Sequence, residues 1–331
     1  MNLRIAARLI LLPLLTLSVA AAPPVTTLPI KKLVVLGDSL SDQGNLFAAT
    51  SQLLPFGLPD AAHYYAGRFS NGVNYADALA NMLHVDLTPS LLGGTNFAFG
   101  GARTDYNVVE LPPLSLPPGA FPWSLNGERD AFLATANHNA DPTTLYVVFS
   151  GSNDIGDILS LRLNPAATIA KTVTGIRDAI LAFKAMGART VLVPNVPNLG
   201  LTPRAAQVGA QGPLTALAHA YNASLDAMLD GFTDIHIIKF DSFAFVTYVV
   251  AHAADYGFTN VTQPCYTGFV VPDPTATECA DPDQYLFWDA EHPTSRFHAL
   301  FAEEIFKSAL QCEENDKGHG PVKCAINAHT H

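Results

Sequence analysis

The sequence predicts an α/β protein in which helices cover both faces of a parallel β-sheet. Apolar runs of strand length alternate with longer amphipathic segments along the chain, which is typical of such folds. Three of the apolar runs end in polar turns that contain glycine. Because ligands in open α/β sheets bind at the carboxyl ends of the strands, we expect one crevice that these turns share.

Five apolar runs predict the strands, and five amphipathic segments predict helices between them. The predicted strands span 32–37, 95–99, 145–150, 190–193 and 235–238, and the predicted helices span 74–83, 128–139, 166–186, 214–231 and 295–310. A stretch rich in proline and glycine, 261–282, predicts a loop that is longer than a plain connection requires. We expect this loop to act as a lid over the crevice.

The first 22 residues predict a secretory signal peptide. Arg4 and Arg8 precede an apolar stretch at 9–19 that is too short to span a bilayer, and small residues follow it. No later stretch is long and apolar enough for a transmembrane anchor. We therefore expect residues 23–311 to form one domain of an exported protein, either periplasmic or secreted.

The charge of the chain argues against binding to nucleic acid. The formal net charge is −11, and loss of two arginines with the leader takes it to −13, because that stretch contains no acid. So acidic a chain is a poor partner for nucleic acid or for an anionic membrane surface held by charge.

All four cysteines lie in the last quarter of the chain, at Cys265, Cys279, Cys312 and Cys324. Export makes disulfides plausible, and of the three possible pairings we favour the two local ones, the first cysteine with the second and the third with the fourth. The second pair would staple a C-terminal tail, 312–331. The spacings do not fit a zinc site, and we expect neither a metal nor an organic cofactor.

Ser39 is the first candidate for catalysis. It follows the apolar run of the first predicted strand, inside the sequence G-D-S-L-S-D at residues 37–42. A hydroxyl where a buried strand turns into a helix is exposed, rigidly held and surrounded by backbone N–H groups that can stabilise negative charge. The alternative is an ordinary N-cap serine.

Two further turns offer hydrogen-bond donors to an oxyanion. Asn153, in the sequence G-S-N-D after the third predicted strand, could direct its amide N–H into the same crevice, or it could form a helix-capping turn with Asp154. Gly100 and Gly101 follow the second predicted strand, and lack of a side chain lets backbone approach a reacting carbonyl. We favour Gly101 as the donor, which is compatible with a tight turn at positive φ.

Asp289 and His292 supply a base and its partner. A carboxylate three residues before a histidine can orient the imidazole ring and stabilise its protonated form after it takes the serine proton. The alternatives are an exposed loop histidine beside an acid, and Glu291 in place of Asp289 as the partner.

These segments together resemble the four blocks of the GDSL or SGNH hydrolase superfamily, in order and at familiar separations. The blocks are G-D-S-L at 37–40, the glycine pair at 100–101, G-x-N-D at 151–154 and D-x-x-H at 289–292. The resemblance implies a three-layer α/β/α fold with a five-stranded parallel sheet in flavodoxin-like order. It also implies site roles: Ser39 as nucleophile, His292 as base, Asp289 as its orienter, and Ser39, Gly101 and Asn153 as oxyanion donors. Asp38, Gly100 and Asp154 would support them.

Two more segments are similar to the branch of this superfamily that contains bacterial secreted lipases, lysophospholipases and glycerophospholipid:cholesterol acyltransferases. They are G-R-F-S-N-G at 67–72 and N-F-A at 96–98. The resemblance implies hydrolysis of lipid esters through an acyl-enzyme, with an alcohol such as a sterol as an alternative acyl acceptor. Two other functions stay open: a short-chain or carbohydrate O-acetyl esterase, and a non-catalytic binding protein.

Overall fold

The computed structural model describes residues 25–27, 30–54, 56–106, 110–111, 114–115, 123–135 and 141–313. The predicted signal peptide and Cys324 lie outside these residues. The strands are β1 (Val25–Thr27), β2 (Lys32–Gly37), β3 (Glu110–Leu111), β4 (Leu114–Ser115), β5 (Thr144–Phe149), β6 (Thr190–Pro194), β7 (His236–Phe240), β8 (Asn260–Pro264), β9 (Tyr285–Phe287) and β10 (Gln311–Glu313).

The helices alternate with the strands of the central sheet. They are α1 (Asn45–Thr50), α2 (Tyr75–Leu83), α3 (Leu125–Thr135), α4 (Ser152–Ser160), α5 (Pro165–Ala185), α6 (Pro203–Gln207), α7 (Gln211–Leu229), α8 (Ser242–Ala251) and α9 (Ser295–Glu304), which continues as a π-helix at Ile305–Leu310. Single 3-10 turns lie at Tyr65–Gly67, Ser90–Leu92, Leu199–Leu201, Ala253–Tyr256 and Pro282–Gln284. Within the described ranges, no helix is both long enough and apolar enough to cross a membrane.

The central sheet is parallel throughout, with strand order β2-β5-β6-β7. Lys32 pairs with Thr144 at one end of β2, and Gly37 pairs with Phe149 at the other. Strands β6 and β7 continue the sheet in the same direction. The carboxyl ends of all four strands therefore lie at one edge, where the predicted site residues follow β2 and β5.

The predicted fifth strand, 95–99, is not a strand in the structure. This segment lies beside β2 and makes three backbone bonds with it: Val35 N–H donates to Thr95 O, and Phe97 and Phe99 donate back to β2. Its pairing with β2 is a single bridge, between Val35 and Asn96, because the N–H of Gly37 donates to the side chain of Glu128 and does not continue the ladder. On its other side, Asn96 also bridges Pro89. The prediction of five strands is therefore corrected to four strands plus one edge segment.

Two apolar layers enclose the sheet, because successive side chains of a strand point to opposite faces. Val34 and Leu36 of β2 face a layer formed with α3, α4, α5 and α7. Leu33 and Val35 face the layer formed with α2, α8 and α9. The predicted α/β fold with helices on both faces of a parallel sheet is confirmed.

The helix predictions differ from the structure mainly at helix ends and in the short helices. Helix α2 starts after Asn74, whose side chain accepts the N–H groups of Ala76 and Asp77 in a capping box. Helix α8 was not predicted, because its sequence, S-F-A-F-V-T-Y-V-V-A, is apolar on all sides and shows no helical period. Helices α1 and α6 were not predicted either, since they have only six and five residues, and α4 was also not predicted.

A disulfide closes residues 265–279, which we call the strap. Cys265 is bonded to Cys279 over a Cα–Cα distance of 4.8 Å. Just before the strap, β8 pairs with β9, the strand that leads to Asp289. Cys312 lies in β10, which pairs with β1. Its predicted disulfide with Cys324 lies outside the described residues.

Candidate active site

Ser39 lies in a tight turn at the end of β2. The N–H groups of Ser41 and Asp42 donate to the carbonyl of Asp38 at 2.9 and 3.0 Å, and Leu40 N–H donates to the Asp38 side chain. The following helix begins only at Asn45, and the carboxylate of Asp42 accepts the N–H groups at its start. Ser39 is therefore not a helix cap, and its hydroxyl is left for other contacts.

Asp289, His292 and Ser39 form one hydrogen-bonded chain. His292 Nε2 is 2.9 Å from Ser39 Oγ, and Nδ1 is 2.8 Å from Asp289 Oδ2. Glu291, the other candidate partner of the histidine, pairs instead with Arg204 at the surface. Ser39 and His292, which are 253 positions apart in the sequence, thus meet at the edge of the sheet.

The carboxylate of Asp289 is completely buried and has a donor at each oxygen. The backbone N–H groups of Glu291 and His292 donate to Oδ1 at 2.8 and 2.7 Å, and the hydroxyl of Tyr64 donates to Oδ2 at 2.6 Å. Burial raises the pKa of Asp289. The positive charge of His292 and these hydrogen bonds together lower the pKa by more, so the net shift is downward. Asp289 is a carboxylate at neutral pH.

Burial and the neighbouring carboxylate act in opposite directions on His292. Burial lowers the pKa of the imidazole, and the charge and hydrogen bond of Asp289 raise it more, so the net shift is upward. The rings of Phe69 and Phe269 flank the imidazole, with centroids 5.0 and 5.9 Å away. The ring is held in place by an acid at Nδ1 and by aromatic packing on its faces.

Gly100 and Gly101 differ in their contacts and backbone conformation. Gly100 N–H donates to Asp42 Oδ2 at 2.8 Å, and a Cβ at Gly100 would lie 2.2 Å from the ring of Phe69. Gly101 has φ 77°, the left-handed region that favours glycine. Since the N–H of Gly100 is used inside the protein, Gly101 is the better placed of the two to serve a ligand.

Asn153 lies in the first turn of α4 and lines the same cleft as Ser39 and His292. Its side-chain nitrogen donates to the carbonyl of Ala102 at 3.0 Å. This bond fixes the amide next to the turn that contains Gly101.

Two acids of α4 hold that turn in place. The buried carboxylate of Asp154 accepts Thr104 N–H at 3.0 Å, and Asp157 binds Arg103 through two bonds of 2.8 and 2.9 Å. Arg103 in turn donates to the carbonyl of Gly101 at 2.8 Å. Burial raises the pKa of Asp154 to about 6. The helix after β5 is thus tied to the loop after the edge segment.

Two residues of the site were missed by the sequence analysis. Tyr64 is the hydroxyl donor to Asp289, and Glu128 of α3 accepts Gly37 N–H at 2.8 Å and Phe99 N–H at 3.3 Å. Burial raises the pKa of Glu128 well above its ordinary value. Both residues act through long-range contacts, and no local motif marks either of them in the sequence.

A cleft of about 760 Å³ opens beside Ser39. Residues of α4 line it, and so do residues of the segment that carries α6 and the start of α7. Apolar Leu159 and Val208 line the cleft and are still 39% and 64% exposed. Other apolar lining residues are Pro197, Leu199, Ala210, Leu214, Leu286 and Phe287.

The fold and the site define a class of protein: an α/β protein that carries a Ser-His-Asp hydrogen-bonded chain beside a cleft at the carboxyl edge of its sheet. This arrangement is typical of serine hydrolases. The family model for GDSL-like lipase/acylhydrolase proteins matches residues 33–305, and the chain belongs to this family.

Several known proteins are similar to this chain at low sequence identity. A GDSL esterase/lipase of Arabidopsis thaliana is 26% identical over 82% of this chain and 83% of its own length. The thermolabile hemolysin of Vibrio parahaemolyticus is 23% identical over 86% of this chain and 65% of its own length. Among solved structures, a lipolytic G-D-S-L family protein from Veillonella parvula has a TM-score of 0.43 at 13% identity, covering 84% of this chain and 97% of its own.

Proposed function

We propose that the protein is an exported serine hydrolase of lipid esters, of the lysophospholipase or phospholipase A type. The observation that carries this proposal is the chain of hydrogen bonds from Ser39 Oγ through His292 to Asp289. Membership of the GDSL-like lipase/acylhydrolase family supports ester hydrolysis. The apolar lining of the cleft supports an acyl chain as the part of the substrate that binds there.

The reaction has two steps. Ser39 Oγ attacks the ester carbonyl carbon while its proton passes to His292 Nε2. The negatively charged oxygen that forms accepts hydrogen bonds from the backbone N–H groups of Ser39 and Gly101 and from the side-chain amide of Asn153. Collapse of this intermediate breaks the ester bond, and the proton of His292 goes to the leaving alcohol. Water, deprotonated by His292, then attacks the acyl-enzyme. The bond to Ser39 Oγ breaks, His292 returns the proton to Ser39, and a fatty acid is released.

Acyl transfer to an alcohol such as a sterol is the alternative fate of the acyl-enzyme, since an alcohol can replace water in the second step. Export is supported by the Cys265–Cys279 disulfide, because disulfides persist in oxidising compartments. The name of the hemolysin relative is compatible with attack on membrane lipids.

Product analysis with a Ser39→Ala control tests the proposal. The enzyme is given phospholipids, lysophospholipids, long-chain and acetyl esters, with and without a sterol, and the released products are identified. We expect fatty acid from lysophospholipid with the wild type, and a loss of at least 10³-fold with Ser39→Ala. Activity confined to acetyl esters would replace the lipid assignment with an O-acetyl esterase, and full activity of Ser39→Ala would overturn the mechanism.

A further inference from the structure

Tyr64 connects the strap to the acid of the site. Its side chain is 2% exposed, and its hydroxyl lies 2.6 Å from Asp289 Oδ2 and 3.0 Å from the backbone nitrogen of Val270 in the strap. A backbone N–H can only donate, so Val270 uses a lone pair of the hydroxyl, and the phenolic proton must point to the carboxylate. Burial and the charge of Asp289 raise the pKa of Tyr64, so this proton stays on the phenol.

The position of Val270 is imposed by its surroundings. Its φ is 38°, a region that β-branched residues seldom adopt, so neighbouring structure must hold it there. The carbonyl of Val270 accepts the N–H of Asp60 at 2.8 Å, and the disulfide closes the ends of the strap. The donor to Tyr64 is therefore fixed in space before any substrate binds.

The hydrogen bonds of Asp289 also determine which nitrogen of His292 carries the proton. With one oxygen of Asp289 bound to Tyr64 and the other to two backbone N–H groups, the carboxylate cannot rotate, and it faces His292 Nδ1. A carboxylate only accepts, so the imidazole proton sits on Nδ1 and Nε2 is left as the base for Ser39.

We propose that Tyr64 is a positioning residue for acyl transfer: it ties Asp289 to the strap and so holds His292 in the tautomer whose Nε2 accepts the proton of Ser39. This inference rests on the proposed function, because it assigns a role in the same reaction. Tyr64 does not touch substrate in this role. It acts through the carboxylate and the imidazole.

The test compares Tyr64→Phe with Tyr266→Phe. Tyr266 packs against Tyr64 in the same aromatic cluster, and within the described part of the chain its buried hydroxyl has no hydrogen-bond partner. The two variants therefore lose the same atom from the same cluster, and only one loses a bond to Asp289. Both are assayed on the soluble substrate 4-nitrophenyl butyrate across pH 5 to 9, with thermal unfolding as a check on folding.

We expect Tyr64→Phe to lower kcat by about 10- to 100-fold with KM within twofold. Removing a residue that hydrogen-bonds to a functional side chain typically has an effect of this size. Loss of the hydrogen bond leaves more charge on Asp289 to stabilise the imidazolium. The acid limb of kcat/KM should therefore move to higher pH. Tyr266→Phe should stay within twofold of the wild type, with its acid limb unmoved.

A second variant opens the strap while leaving Tyr64 in place, and it also serves if Tyr64→Phe does not fold. Cys265→Ala combined with Cys279→Ala should lower kcat and move the acid limb in the same direction as Tyr64→Phe. Unchanged kcat and pH profile in either folded variant, with Ser39→Ala inactive, would overturn the inference and leave the proposed function standing. Activity of Ser39→Ala would instead remove the proposed function itself.

Discussion

Asn153 shows how one side chain can be both fixed and available. Its amide nitrogen carries two hydrogens, and within the described part of the chain the structure gives that nitrogen one acceptor, the carbonyl of Ala102. The bond orients the amide in advance, so in the proposed oxyanion role the donor would not need to reorganise. The second hydrogen is then the one that can face the cleft.

Replacing Asn153 with alanine should therefore raise the barrier of acyl transfer. Loss of one oxyanion donor costs about 2.7–4 kcal/mol, which corresponds to roughly 10²- to 10³-fold in kcat. KM should change little, because the donor acts mainly on the transition state. Steady-state kinetics on a soluble ester measures this, with Asn153→Asp as a variant of the same shape whose ionised side chain cannot donate. A loss in kcat below tenfold for Asn153→Ala would exclude the oxyanion role.

Two buried histidines of the molecule contrast in their protonation. His292 has Asp289 at its Nδ1, and the net effect raises its pKa. His298 is also buried in α9 but has no carboxylate bonded to its ring among the described residues, and burial lowers its pKa to about 3. The sequence distinguished the two, because only His292 has an aspartate three residues before it. The same spacing also occurs at Asp60 and His63, so the choice of His292 as the candidate base rested on the other blocks as well.

At the scale of elements, the cleft is shaped by a glycine inside a helix. Gly156 lies in the middle of α4, lines the cleft, and a Cβ built on it would meet no atom within 4 Å. Glycine in a helix interior costs about 1 kcal/mol relative to alanine. Gly156 therefore leaves space in the cleft at a position where helix propensity favours almost any other residue.

Gly156→Leu should narrow the range of acyl chains that the enzyme accepts. The added side chain enters the space beside Ser39 that we assign to the acyl chain, without strain in the backbone. We expect at least a tenfold loss of kcat/KM on C12 to C16 4-nitrophenyl esters and a change within threefold on the acetyl and butyryl esters. Gly156→Ala is the matched control and should keep the whole range. An equal loss on all chain lengths would place the acyl chain elsewhere.

The elements that were predicted correctly are those marked by a local sequence pattern. The amphipathic segment 74–83 matches α2, and the apolar runs match β2, β5, β6 and β7 to within a few residues. The edge segment was predicted as a strand because its residues suit one, yet strand pairing depends on neighbours that a sequence does not show. A lid was expected over 261–282, and that role stays a prediction. In the structure the first residues of this range belong to β8, and Phe269 of the strap packs against His292.

Tyr64 and Glu128 mark the limit of sequence reasoning. Tyr64 meets an acid 225 positions away, and Glu128 meets a backbone N–H 91 positions away. Neither contact follows from a period or a motif, since each depends on how loops and layers pack around the sheet. The candidate site residues came from four local patterns, while their supporting contacts required the fold.

At the scale of the whole molecule, acids are buried at the carboxyl edge of the sheet in a chain that already carries a net charge of −11. Burial raises the pKa of Asp38 and Asp154 to about 6, and that of Glu128 well above its ordinary value. The folded state holds these protons more tightly than the unfolded chain. By linkage, their contribution to stability is full below about pH 4 and is lost as pH rises through the folded-state pKa values. The lowered pKa of His298 acts in the opposite direction below pH 6.5.

Asp38→Asn isolates one of these groups. Asparagine keeps the shape and the oxygen that accepts Leu40 N–H, but it has no charge to bury. A pKa raised from 3.8 to about 6 corresponds to about 3 kcal/mol, so the variant should be more stable than the wild type by about that amount at pH 8 and nearly equal to it at pH 4. Urea unfolding at both pH values measures the difference, with exposed Asp86→Asn as the control for loss of one negative charge. A gain from Asp38→Asn that is the same at both pH values would show that Asp38 does not titrate as its burial implies.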